Sequence, residues 1–223
     1  MRELRWQAAS KKAVCHRKNQ DAWYCEVSKL RRDRGIFVVA DGVGSLDAPE
    51  IASRMAVSGV RSWWRETEDI GIEGLKALRK ALGHIDQSIR DYGSQKGLCL
   101  ATTLAVLLLD GDQGGILQIG DSKILRQRSR RTEVLTIDHL LEREGLLISC
   151  LGNARMGFDV MERYFEVRVK DRFFIGSDGV FSRKRLLAHY AFGQEEAYLK
   201  KLREAGEADD LTAIGVEVRN VPV

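Results

Sequence analysis

Gly35-Ile36-Phe37-Val38-Val39-Ala40-Asp41-Gly42 is the stretch from which the fold of this chain is read. An unbroken apolar run rich in β-branched side chains describes a strand buried on both faces, and this one stops at an acid followed by glycine. The same acidic corner beside an apolar run recurs in Asn19-Gln20-Asp21, Ile119-Gly120-Asp121-Ser122, Ile175-Gly176-Ser177-Asp178-Gly179 and Ala208-Asp209-Asp210-Leu211-Thr212. One carboxylate at a strand end is ordinary. Several along one chain point to carboxylates gathered at one rim of a sheet. Clustered carboxylates repel and need a cation to sit together. Oxygen-only donors suit hard ions such as Mg²⁺ or Mn²⁺, and a neighbouring glycine lets backbone approach the ion.

Outward from the first acidic strand, Asp47-Ala48-Pro49-Glu50 reads as a helix start. Asp47 is placed to cap, Pro49 fits the first turn and Glu50 completes a capping box. Ile51, Met55, Val60 and Trp63 roughly follow the helical period, with Trp63 a core anchor and Trp64 its exposed neighbour. Leu75, Leu78, Leu82, Ile85 and Ile89 alternate steps of three and four and define a second helix. The chain then turns to β. Residues 101–109 form a strand, 110–115 a turn, 116–120 the return and 123–127 a further strand. Arg163–Val169 and Arg172–Ser177 are expected to form a hairpin across Lys170-Asp171. Residues 182–190 and 195–205 look helical, and 212–218 closes as a strand. Hairpin-linked strands around a consecutive helix pair argue for an α+β fold with two mostly antiparallel sheets and helices packed outside.

The bulk numbers fit one domain over residues 1–223, a size that buries roughly 70% of its unfolded surface. The chain is 44% apolar and 30% charged, with 36 basic and 32 acidic residues and a formal charge of +4. That excess is too small to argue for nucleic acid. The runs Arg31-Arg32-Asp33-Arg34 and Arg126 to Arg131 lack interleaved aromatics and read as solvated turns, so no nucleic-acid partner is expected. Cys15, Cys25, Cys99 and Cys150 form no CxxC and no zinc spacing. No signal peptide is in view, and the longest apolar run, 104–109, is too short to span a bilayer. Reduced thiols, no membrane contact and a cytoplasmic location are the expectation.

In their order these motifs resemble the PP2C-type metal-dependent Ser/Thr protein phosphatases, compact bacterial members in particular, from about Ala8 to Val218. Asn19-Gln20-Asp21 is similar to the family's Asn-Glu-Asp motif, and Ala40-Asp41-Gly42-Val43-Gly44 to its Asp-Gly-Met-Gly. Ala101-Thr102-Thr103-Leu104 resembles Gly-Thr-Thr, Gly120-Asp121-Ser122-Lys123 resembles Gly-Asp-Ser-Arg, and Leu135-Thr136-Ile137-Asp138-His139 resembles Leu-Thr-x-Asp-His-Ser. Ser177-Asp178-Gly179-Val180 and Asp209-Asp210-Leu211-Thr212 resemble the last two metal motifs.

The resemblance implies a β-sandwich flanked by helices. It also implies hydrolysis of phosphoserine and phosphothreonine on proteins, opposite a bacterial Ser/Thr kinase or its targets. It implies two Mn²⁺ or Mg²⁺ ions, with a third in some members, and an attacking water between the ions. Carried over residue by residue, Asp41 is the bridging ligand, the Gly42 carbonyl the backbone ligand, and Asp178 and Asp209 the other ligands. Asp21 supports the shell, and Asp121 matches the acid that helps hold a third ion. For Asp21 and Asp121 turn capping stays open as the alternative.

The departures are specific. His16 stands where the family often has a phosphate-binding arginine, with Arg17 next to it; either could contact phosphate, the histidine more weakly. Gln20 replaces a metal-supporting glutamate, Val43 a histidine acid, and Ser182 a carboxylate or amide. The flap after Asp138-His139 is shortened, running through 140–145 to Leu151-Gly152. That predicts an open site whose selectivity comes from a partner surface. Lys123, Arg126 and Arg155 could favour a phosphopeptide or be solvated charges. His139 is expected to make a structural hydrogen bond; His84 and His189 sit on expected helices without partners. These departures leave a second reading, a pseudophosphatase that binds phosphoproteins without turning them over.

Overall fold

A computed structural model describes residues 1–67, 70–141, 146–183, 187 and 190–221. The strands are β1 (Arg2–Lys11), β2 (Asp21–Val27), β3 (Arg34–Asp41), β4 (Leu104–Asp110), β5 (Gln113–Ile119) and β6 (Lys123–Arg128). They continue as β7 (Arg131–Val134), β8 (Leu140–Leu141), β9 (Leu146–Leu147), β10 (Met161–Glu166), β11 (Arg172–Gly176) and β12 (Leu211–Asn220). The helices are α1 (Pro49–Glu66), α2 (Gly74–Lys96), a short α3 (Asp178–Phe181) and α4 (Glu195–Glu204). One sheet runs β1-β12-β11-β6-β7 and the other β10-β5-β4-β3-β2. All their pairings are antiparallel, as the α+β reading requires.

The period-2 geometry of β3 divides its apolar run between two cores. Phe37 and Val39 meet Leu107, Ile116, Phe173, Ile175 and Val216 between the sheets. Ile36, Val38 and Ala40 face the other way, onto Val60, Trp64, Leu78, Leu82 and Ile89 of the helix pair. A third cluster, Phe174, Val180, Tyr198, Leu199 and Leu202, covers the outer face of the other sheet. The layers are therefore α, β, β, α, and the inner strands read as continuous hydrophobic runs because both of their faces are buried.

Several expectations need correction. Arg163–Val169 and Arg172–Ser177 do not form a hairpin: β10 pairs with β5 in one sheet, and β11 lies between β12 and β6 in the other. The turn around Lys170 (φ 74°) is a crossover between layers, which a local turn signal cannot distinguish from a hairpin. Asp47 does not cap α1; the N-cap is Ala48, without a side-chain bond. The Asp47 carboxylate instead accepts the Cys99 N–H at 2.7 Å, and Glu50 pairs with Lys18. Trp64 is fully buried with Trp63, not exposed, and the Arg34 guanidinium lies 4.8 Å over its ring. Strands β1 and β2 carry mixed burial patterns and were not foreseen. The helix expected over 182–190 lies largely outside the described residues, as does His189. Among the described residues no helix is long and apolar enough to cross a membrane.

Candidate active site

The acidic corners meet because antiparallel strands of two facing sheets end together at one rim. Asp21 begins β2 and lies directly opposite Asp41 at the end of β3. Asp121 follows β5, Asp178 follows β11 as the first residue of α3, and Asp209 precedes β12. Asp41, Asp121, Asp178 and Asp209 line one cleft of about 340 Å³, with Gly42, Gln20 and His16 on its wall. Leu147 of the shortened flap closes one side. The flap's connecting residues, 142–145, lie outside the described residues.

Backbone bonds hold this rim rigid. The Asp41 carbonyl accepts the Thr103 N–H at 2.8 Å and the Thr102 hydroxyl at 2.9 Å, while the Thr103 hydroxyl accepts the Asp41 N–H at 3.0 Å. Position 42 tolerates only glycine, since a Cβ there would lie 2.2 Å from the Pro49 carbonyl oxygen. The two bonds that close the Gly42–Thr102 bridge run from Thr103 N–H to Asp41 and from Val43 N–H to Ala101, and no described residue donates to the Gly42 carbonyl.

Electrostatically the cleft is a trap for positive charge. No lysine or arginine lines it among the described residues. Burial first, and then the charges of Asp21, Asp178, Asp209 and Asp121, push the Asp41 carboxyl well above its ordinary range. Burial and Asp178 raise Asp121 to about 6, and the same two causes raise Asp209. Asp21 is buried beneath the cleft, where burial raises it to about 7. One of its oxygens accepts the Ser177 hydroxyl at 2.8 Å, and the other, Oδ1, has no hydrogen-bond partner among the described residues. Facing carboxylates with an orphaned buried oxygen, an all-oxygen donor set and a free carbonyl fit a hard divalent cation.

The other site expectations separate. His16 reaches the cleft wall, but Arg17 is exposed beside Lys18 on a neighbouring cleft. Lys123 ion-pairs with Asp138, and Arg126 with Glu133 at 2.6 Å, so neither is a free phosphate contact. The His139 ring accepts the Gly120 N–H at Nδ1 at 3.2 Å, and the His139 backbone N–H donates to the Gly120 carbonyl at 3.0 Å, a structural role as expected. The Ser182 hydroxyl is turned to the Gly179 carbonyl and to Glu207.

Sequence reading missed Asp210. Its buried carboxylate accepts the backbone N–H of Ala13 at 2.5 Å and of Gln20 at 2.8 Å, and bonds His16 Nδ1 at 2.9 Å. It pins the 13–20 loop that presents His16 and leads into Asp21. The consecutive acids Asp209-Asp210 were the available signal: Asp209 lines the cleft, and the carboxylate of Asp210 lies within 4.8 Å of those of Asp209 and the His16 ring, buried behind them.

Comparison with known proteins agrees with this architecture. The Protein phosphatase 2C family model matches residues 13–213, and the chain belongs to that family. It is 33% identical over 131 residues to protein phosphatase PhpP of Streptococcus pneumoniae, covering 56% of this chain and 51% of that protein. It is 31% identical over 122 residues to the serine/threonine phosphatase stp of Listeria welshimeri, covering 53% of this chain and 48% of that protein. The chain thus spans about half the length of the relatives it matches in sequence. The catalytic domain of the phosphatase PstP, in complex with two manganese ions, superposes with a TM-score of 0.84 at 21% identity, over 99% of this chain and 100% of that one. Stp1 of Staphylococcus aureus gives 0.85 at 18% identity, over 97% and 96%. These structural likenesses bear on the fold.

Proposed function

We propose that this chain, as one domain, hydrolyses phosphoserine and phosphothreonine on proteins with Mn²⁺ or Mg²⁺ held in the carboxylate cleft. The observation that carries the reading is the convergence of Asp41, Asp121, Asp178 and Asp209 on one cleft that no lysine or arginine lines among the described residues. The names of the streptococcal and listerial relatives support it. Asp41, the Gly42 carbonyl, Asp178 and Asp209 would hold the pair of ions, and Asp121 would help hold a third. Bound there, divalent cations supply an acidified water and offset the charge of the phosphate.

The chain's own groups do the rest. Asp21 backs Asp41 from below, and a cation in the cleft would favour its ionised form. Asp210 fixes His16 through Nδ1, which leaves Nε2 as the ring nitrogen for a phosphate oxygen. Arg17 is a more distant phosphate contact. Glutamine at position 20 leaves one fewer anion near the ions. The substrate is a phosphorylated protein, a bacterial Ser/Thr kinase or its target, in the cytoplasm.

Hydrolysis of a phosphothreonine peptide and of para-nitrophenyl phosphate, with Mn²⁺, Mg²⁺ or EDTA, tests the reading. Release that requires the metal and disappears in Asp178→Asn is expected. Unchanged hydrolysis in Asp41→Asn would remove the mechanism, and no release by folded protein with either ion would remove the activity.

A further inference from the structure

The run Arg126 to Arg131 is more than a solvated turn. It forms the tip of the β6–β7 hairpin, with Arg128 paired across to Arg131. Arg126, Arg128, Ser129, Arg130, Arg131 and Glu133 line an open cleft of about 590 Å³ at this tip. At the rise of a strand the tip lies on the order of 20 Å from Asp121, at the opposite end of the sandwich from the carboxylates.

The four arginines divide into two pairs. Arg126 and Arg128 build the cleft. The Arg126 guanidinium bonds Glu133 at 2.6 Å and the Glu166 carbonyl at 3.2 Å, and lies 5.4 Å over the Phe165 ring. Arg128 bonds both oxygens of the buried Asp171 at 2.7 Å, and the Glu166 carbonyl at 2.9 Å. Arg130 and Arg131 are exposed, and neither guanidinium pairs with any described residue. Two inward, charge-compensated arginines thus hold a short turn that carries two uncompensated ones outward.

We propose that this arginine cleft docks an acidic segment of a protein partner, remote from the carboxylate cleft, and so recruits phosphoprotein substrates. The recruiting role rests on the phosphatase reading; the binding does not. Arginine forks match carboxylates in two-point geometry. Among the described residues the lining offers no aromatic face on which a base could stack. It offers no apolar side chain to enter a bilayer either. Glu133 in the wall is paired with both Arg126 and Arg163, so the uncompensated charge of the cleft is that of Arg130 and Arg131. Two adjacent guanidinium groups suit a short run of carboxylates. With the shortened flap, recognition through a second surface also explains how an open site would select a protein.

Fluorescence anisotropy of a labelled, unphosphorylated Glu-rich peptide tests the docking directly. Binding at low salt that weakens with added salt is expected, and Arg130→Glu/Arg131→Glu should weaken it by about tenfold or more. Lys80→Glu/Lys96→Glu, an equal charge change on exposed residues of α2, should not. Equal binding by both double variants, or none by the unmodified protein, overturns the proposal. Tighter Arg130/Arg131-dependent binding of a single-stranded oligonucleotide or of anionic phospholipid vesicles also overturns it. In turnover, the arginine variant should lose kcat/KM on a phosphopeptide bearing a distal Glu-rich tail and keep its rate on para-nitrophenyl phosphate. Loss of para-nitrophenyl phosphate hydrolysis in the unmodified protein would instead strike the phosphatase reading and leave the binding result standing.

Discussion

Asp21 is the residue whose environment most calls for a compensating charge. It is buried opposite Asp41, it lacks a partner on Oδ1 among the described residues, and burial raises its carboxyl to about 7. Two ionised carboxylates cannot hydrogen-bond each other, so a proton or a cation must lie between them. In Asp21→Asn the amide can donate to Asp41 and removes a buried charge. The metal-free variant should therefore melt higher than the parent protein at about pH 8 in EDTA, while binding Mn²⁺ more weakly in a calorimetric titration. A lower melting point together with unchanged Mn²⁺ affinity would mean that Asp21 is a turn cap and no part of the centre. At this scale the sequence was readable where an acid ended an apolar run, as at Asp41 and Asp178. It was not readable at Asp210, because adjacent acids do not say which one turns inward to bond Ala13, Gln20 and His16.

At the scale of elements, strand β12 and helix α4 meet at a contact that leaves no room for a side chain. A Cβ at Gly215 would lie 2.1 Å from Glu195 Oε1 and 2.5 Å from the Tyr190 hydroxyl. Glu195 is itself buried and bonded to Tyr190 and to the Gly193 N–H. Gly215→Ala should drive the Glu195 carboxylate off its bonds to Tyr190 and the Gly193 N–H and destabilise the protein by about 1–3 kcal/mol, read from urea unfolding. A change within error would show that the ends of Glu195 and Tyr190 can move aside without cost. Strong helical periodicity made α2 legible, down to the five residues that reach the core. Strands β1 and β2 were not foreseen because each has a solvated face and no continuous apolar run. The supposed hairpin of β10 and β11 failed because turn residues report a local change of direction, not which sheet the chain enters next.

For the molecule as a whole, the clustered carboxylates make metal-free stability depend on pH. Asp121 and Asp21 hold their protons to about pH 6 and 7, against an ordinary value of 3.8. Between those values the folded protein retains protons that the unfolded chain has released. The stability tied to protonation is complete below about pH 4 and is lost as pH rises through 6 and 7. Glu50, held down by Lys18, and Glu133, held down by Arg126, titrate lower and do not offset this loss. In EDTA the melting temperature should fall between about pH 5 and pH 8, and Mn²⁺ should restore it at the upper end. A flat profile in EDTA would contradict the repulsion inferred for the cleft.

By itself, the sequence determined the α+β class, the helix pair and the order of the acidic corners, because periodicity and strand-ending acids are properties of neighbouring residues. Only the tertiary structure decided that Asp41, Asp121, Asp178 and Asp209 share one cleft while Asp21 lies buried beneath it and Asp210 braces His16. It also decided that Arg130 and Arg131 stand free while Arg126 and Arg128 are spent on Glu133 and Asp171. Those outcomes depend on which strands pair and how two sheets face each other, and burial and charge coupling exist only after distant segments have met.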